Sequence, residues 1–292
     1  MESNSLLSAM LPLALGIVML GLGLSLTIDD FKRVIIYPKA VVIGLVCQML
    51  ILPILCFLIA KNLGLPSELA VGLMLLSASP GGPTANLYSH LSNGDVALNI
   101  TLTAVNSLLT LFTLPFIVNL SIDYFLESGQ VIPMQFKKVI EVFAIVLIPV
   151  TIGMLIKSKR PALTLKLDKP VRILSALFLV LIIVAAVMKE KENVATYFEQ
   201  VGIAALIFNL LSMAAGFFIP LLFKLQKKQA IAIGMEIGIH NGTLAIYIAL
   251  TVIGNSVMSI PPAIYSLIMF FTAAAFGFLV NIGRQKTETA GG

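Results

Sequence analysis

Apolar residues run along the chain in nine blocks of about 20 residues each, the length that crosses a bilayer core as a helix. They cover Leu6–Thr27, Ala40–Ala60, Leu69–Leu91, Val96–Leu120, Val139–Ile156, Val171–Met188, Val201–Phe223, Ala230–Ile253 and Pro262–Ile282. The links between them are short, so the pattern predicts one compact bundle of nine transmembrane helices. Two blocks are interrupted. Leu69–Leu91 carries Ser79-Pro80-Gly81-Gly82-Pro83-Thr84-Ala85-Asn86 at its centre, and Ala230–Ile253 carries Gly238-Ile239-His240-Asn241-Gly242-Thr243. Proline removes a backbone donor and clashes with the preceding turn, while glycine permits an unwound path. Such backbone is tolerated at membrane depth only where protein buries it or where it lines a cavity. Each break falls in the second-to-last span of its half and is followed by one complete span. The spacing therefore predicts two halves inverted relative to each other, the arrangement that marks a secondary transporter's site.

Composition agrees. Hydrophobic residues make up 59% of the chain and charged residues 11%, with a mean hydropathy of +1.03. That is too little charge to cover a soluble domain of this size, so an all-α polytopic membrane protein is expected. With the N-terminus outside, alternate links place 14 of the 19 basic residues inside, all but Lys61, Lys137, Lys138, Lys189 and Lys191. The positive-inside rule thus supports nine spans with the C-terminus in the cytoplasm. The net charge of +5 is a matter of topology, and no nucleic-acid partner is expected. Cys47 and Cys56 share one apolar block and read as core residues. Met1–Ser5 has no basic stretch, so no cleavable signal is expected.

Glu236 sits inside the eighth block, where an ionised carboxylate costs at least about 2.5–3.5 kcal/mol. It needs a partner: a cation, a proton or a neighbouring helix. His240, Asn241 and Thr243 bring polar atoms to the same depth, and Gly238 and Gly242 loosen the helix. Asn99, Thr103, Asn106 and Thr110 follow one another at spacings of four, three and four, one stripe on one helix face. Beside a break that contains Asn86, that stripe suggests a hard-cation site built from oxygens. Gln48, just before Pro53, adds a further amide. Half-helices starting near Gly82 and Gly242 would turn free N–H groups toward the breaks, where an anion can be held. Enzyme readings find no support: there is no HExxH, CxxC or G-x-S-x-G, and Asp95, Asp123 and Asp168 lie at span ends or in links.

The set Gln48 with Pro53, Ser79-Pro80-Gly81-Gly82, Asn86, Asn99, Thr103 and Glu236-Ile237-Gly238-Ile239-His240-Asn241 resembles the bile acid–sodium symporter family, from Leu6 to about Ile282. The resemblance implies two inverted repeats with crossed discontinuous helices, and a core domain against which a panel domain moves. The first repeat would be residues 1–125, lacking one helix. The second would be 133–284, with a short cytoplasmic tail at 285–292, all in one transmembrane domain. A first sodium site is implied at Asn86, Asn99, Thr103 and Glu236. A second is implied at Gln48, Glu236, the carbonyls of Ile237 and Ile239, and His240 in place of a glutamine. A neutral imidazole is a poor ligand for a hard cation, so one sodium is expected and a second depends on His240. Substrate contacts are expected from Thr84, Asn241 and Gly242.

The expected function is sodium-coupled symport of a small or bile-acid-like organic anion by alternating access. The expected setting is a lipid bilayer, the bacterial inner membrane, with the chain acting as a monomer. A proton-coupled or effluxing weak-acid or arsenite carrier is the alternative within transport. A non-transporting sensor is the alternative outside it, and Arg284–Gly292 leaves no room for the output domain a sensor would carry.

Overall fold

The structure, a computed structural model, describes residues 2–126, 136–190 and 192–288. Among these, thirteen α-helices are joined by short links and no strand is formed. In chain order they are α1 (Glu2–Ser25), α2 (Ile28–Lys32), α3 (Pro38–Val46), α4 (Leu52–Asn62), α5 (Ser67–Ser77), α6 (Pro83–Leu91) and α7 (Val96–Phe125). There follow α8 (Phe136–Lys159), α9 (Pro161–Lys189), α10 (Val194–Leu222), α11 (Lys227–Gly238), α12 (Gly242–Tyr247) and α13 (Ile260–Glu288). Six helical segments are long and apolar enough to cross a membrane, and α1 with the bent α2 region makes a seventh. Ser67–Ser77 and Gly242–Ile253 are shorter apolar helices that belong to the two interrupted blocks. Large apolar side chains such as Phe112, Leu222, Phe271 and Phe278 stand exposed on the outside, as lipid requires.

Both predicted breaks are present, and each has a local cause. α5 stops at Ser77, and the Ser77 and Ser79 hydroxyls donate back to the carbonyls of Met74 and Leu76. Pro80 cannot donate, and Pro83 occupies the first turn of α6, where a missing N–H is harmless. The helix therefore resumes at Pro83, next to the expected start near Gly82. α11 ends at Gly238, and the Asn241 side chain caps α12 by accepting from Leu244 N at 3.0 Å. Only residues 239–241 are unwound there; Gly242 and Thr243 are already helical.

Three features depart from the sequence pattern. The first block bends by 73° after Ser25, where the Asp30 carboxylate accepts from both Thr27 N and Thr27 Oγ1. The second block contains a π-turn at Cys47–Ile51, next to Pro53, whose ring and missing N–H disturb the turn around Met49. The expected inner link before Val171 is instead helix: with Arg160 alone between α8 and α9, Lys166, Lys169 and Arg172 all lie on α9.

Two groupings position the site. α1, α8 and α9 pack on one another, with α1 and α8 in very close approach. A Cβ on Gly153 would meet the α1 backbone at Leu20 and Leu24, about 2.6 Å away. α5, α6, α7, α10, α11 and α13 form the other group, in which Gly216 lets α10 press to the backbone of α11 at Gly234.

Candidate functional site: the crossing of the two interrupted helices

The two breaks touch. Gly81 pairs with His240 in an isolated antiparallel bridge, and Asn241 N donates to Pro80 O at 2.8 Å. Each unwound segment thus supplies partners to the other, which answers the demand that buried backbone be hydrogen-bonded.

Glu236, on the last turn of α11, is fully buried beside this crossing. Thr103 Oγ1 donates to its Oε2 at 2.6 Å and Asn106 Nδ2 to its Oε1 at 3.1 Å. The backbone N–H of Gly81 donates to the same carboxylate. Three donors and no acceptor is the set an ionised carboxylate can use. Thr103 Oγ1 also lies 3.0 Å from Asn99 O, and its single proton serves one of the two acceptors.

Around the carboxylate, several oxygens have no partner. Asn99 Nδ2 donates to Ala232 O at 2.6 Å, which leaves Asn99 Oδ1 free, and Asn106 Oδ1 is free likewise. Neither polar atom of the Asn86 amide has a partner. These residues sit on α6, α7 and α11, which pack on one another. Among the described residues no group of three or more His, Cys, Asp or Glu exists, so the donors favour a hard monovalent cation over a transition metal. The residues expected for the first sodium site are therefore brought to three mutually packed helices, with unused oxygens. Asn106 joins them. It was visible in the stripe of Asn99, Thr103, Asn106 and Thr110 but absent from the family-implied set.

The second expected set converges on another atom. Gln48 Nε2 donates to Ser79 O at 3.0 Å, and His240 Nδ1 lies 3.1 Å from the same carbonyl. Since a carbonyl only accepts, His240 Nδ1 carries a proton, and its Nε2 has no partner. Gln48 Oε1 is also without a partner. The imidazole is stacked on Phe208, with ring centroids 5.9 Å apart, and lies against Tyr265. Ile237 and Ile239 flank Gly238, whose carbonyl accepts from Asn209 Nδ2 at 2.9 Å and Tyr265 Oη at 3.0 Å. Asn209 and Tyr265 hold the end of α11 in place and were not singled out from the sequence. A polar Asn209 within an apolar block was their only signal.

Beside the crossing lies a cavity of about 420 Å³. All three expected substrate residues, Thr84, Asn241 and Gly242, line it, with His240, Tyr88, Met269 and Phe270, and with Arg172 and Leu179 of α9. Gly242 is required there: a Cβ would collide with Ser266 of α13. Asn241 Nδ2 is a buried donor without a partner.

A crossed pair of interrupted helices, a buried carboxylate and an adjacent cavity define a multi-pass membrane protein of the transporter class. Residues 12–197 match the model of the Sodium Bile acid symporter family, and the chain belongs to that family. It is 30% identical to the uncharacterized sodium-dependent transporter YocS of Bacillus subtilis, over 89% of this chain and 79% of that protein. It is 27% identical to the hepatic sodium/bile acid cotransporter of Rattus norvegicus, over 92% of this chain and 73% of that one. The probable chloroplastic sodium/metabolite cotransporter BASS2 of Oryza sativa is also 27% identical, and the chain spans 61% of its length. Sodium-dependent transport is the activity these relatives' names share.

Proposed function

We propose that the chain imports an organic anion by sodium-coupled symport, with alternating access across the crossing of α5–α6 and α11–α12. The observation that carries this reading is the position of Glu236. It is fully buried and bonded to α7 and to the first break, with the anion-sized cavity beside the same crossing. Counting each broken pair as one span gives nine, in repeats 1–125 and 133–284. The N-terminus is outside and the C-terminus cytoplasmic in a cell membrane of bacterial inner-membrane type. α1, α8 and α9 serve as the panel and the remaining helices as the core of a monomer.

Sodium is one of the two cargoes. Asn86, Asn99, Thr103 and Glu236 hold it in the first site, and Asn106 keeps the carboxylate aimed. Gln48, the carbonyls of Ile237 and Ile239, Glu236 and His240 form the second, weaker place. Sodium offsets the Glu236 charge and ties α6, α7 and α11 together, which fixes the crossing. The anion then meets Thr84, Asn241 and Gly242 at the starts of α6 and α12. Relative motion of panel and core carries both to the other side.

Proteoliposomes containing the purified chain test this. A sodium gradient should drive accumulation of a labelled organic anion, and Glu236→Ala should abolish both accumulation and sodium-induced thermal stabilisation. Stabilisation by sodium that is unchanged in Glu236→Ala would overturn the assignment. Anion binding without flux would favour a sensor instead.

A further inference from the structure

The cavity has a charged wall that the sodium sites leave unused. Arg172 is on α9 and lines the same space as Thr84 and Asn241. Among the described residues lining that cavity, it is the one whose side chain is charged at every physiological pH. Its Nε donates to Asp168 Oδ1 at 3.0 Å, one turn back on the same helix. That contact uses one of five guanidinium N–H donors. The side chain is 54% exposed and lines the cavity, so its terminal nitrogens are within reach of a ligand there.

A second anion-recognising point lies on the wall formed by the crossing. There Asn241 Nδ2 is buried without a partner, and Gly82, before α6, has open space where a side chain would stand. The same lining has an apolar part that includes Leu179, Val180, Met269 and Phe270. A molecule with one acidic group uses the crossing and leaves Arg172 to Asp168. A molecule with acidic groups at both ends of an apolar body engages both walls, the second through the planar fork of the guanidinium.

We infer that this cavity selects organic dianions, with Arg172 as the residue that reads the second acidic group. The inference rests on the cavity being the substrate site. Because α9 and the crossing belong to different helix groups, such a ligand also bridges the parts that move.

Matched probes test it: adipate and pimelate against hexanoate and heptanoate, with sodium present, on the purified full chain. Binding is read as thermal shift, and transport as competition or flux in proteoliposomes. The wild type should prefer the diacids by about tenfold or more, the scale of one charge-assisted contact. Arg172→Gln should bring that ratio close to one, and Arg172→Lys should leave it intermediate, since lysine keeps the charge and loses the fork. The sodium shift on the same preparations reports whether each variant is folded, and Arg172→Lys stands in if Arg172→Gln is not. Equal wild-type response to mono- and diacids, or a preference retained in Arg172→Gln, would overturn the inference while leaving sodium-coupled transport intact. If no anion binds with or without sodium, the reading of the cavity itself fails and takes this inference with it.

Discussion

Gly81 owes its identity to what stands beside it. A Cβ built there would lie 2.5 Å from Glu236 Cδ and Oε1, so any side chain must push the carboxylate away from Thr103 and Asn106. Gly81→Ala should therefore weaken the sodium response by about tenfold at an overpacking cost of roughly 1–3 kcal/mol. A sodium titration of the melting temperature measures both effects, and a wild-type midpoint would contradict the packing argument. Asn106→Ala removes a donor from the Glu236 carboxylate. Hydrogen bonds to charged groups are worth about 1.5–3 kcal/mol, so its sodium affinity should fall by roughly 10- to 100-fold. Spacing alone put Asn106 on the correct face, but it could not show which amides spend their N–H groups on backbone. Asn99 does so at Ala232 O and Gln48 at Ser79 O, and that choice is what leaves their oxygens free.

The interrupted helices were the most legible elements, because proline and glycine act through local sterics that need no tertiary context. That the two breaks cross was implied by family resemblance alone; the Gly81–His240 bridge joins residues 159 positions apart, and no periodicity reports it. The π-turn at Cys47–Ile51 was hidden for a related reason. Pro53 announces a disturbance, but helix bending and widening are both open to it, and local sterics do not choose between them. The apolar block at Val171–Met188 marks only the later part of α9, because the earlier turns carry Lys166 and Lys169, which read as a link. At this scale the informative variant is His240→Gln. It exchanges a ring nitrogen for an amide oxygen beside Gln48 and the end of α11. Sodium-dependent flux should become steeper, with the Hill coefficient rising toward two, if the ring is what weakens the second site. Unchanged cooperativity would mean that the backbone carbonyls, rather than the side chain of residue 240, limit it. Flux driven by a proton gradient in the wild type, and lost in the glutamine variant, would assign the coupling to the imidazole instead.

Across the whole molecule, the two helix groups meet differently at the middle of α9 and at its C-terminal end. The residues of α9 that line the cavity run from Arg172 to Val180, in its first two-thirds. About 15 Å further along the helix, Glu190 Oε1 accepts from Ser256 Oγ at 2.5 Å. Ser256 belongs to the link before α13, and that link is held to α5 by Asn255 Nδ2 donating to Glu68 Oε1 at 2.6 Å. The cavity thus lies along the middle of α9, between the end that adjoins Lys157 and Arg160 and the end, at Glu190, where the two groups are tied. In the proposed alternating access, the Ser256–Glu190 contact should break when access changes, because it joins α9 to the opposite group. Removing it should bias the protein toward the outward-open form. The readout is a single Ala176→Cys, which lines the cavity, labelled by a membrane-impermeant maleimide from either side. Cys47 and Cys56 are fully buried, so background labelling should be low. In the parent, labelling should come mainly from the cytoplasmic face. Adding Ser256→Ala or Glu190→Gln should raise outside labelling several-fold, consistent with loss of one charge-assisted hydrogen bond. Sodium at saturating concentration should change the ratio only where Glu236 is intact. If both variants leave the ratio where it was, the contact is a surface bond of no consequence and the closure lies in the apolar packing of α1 against α12.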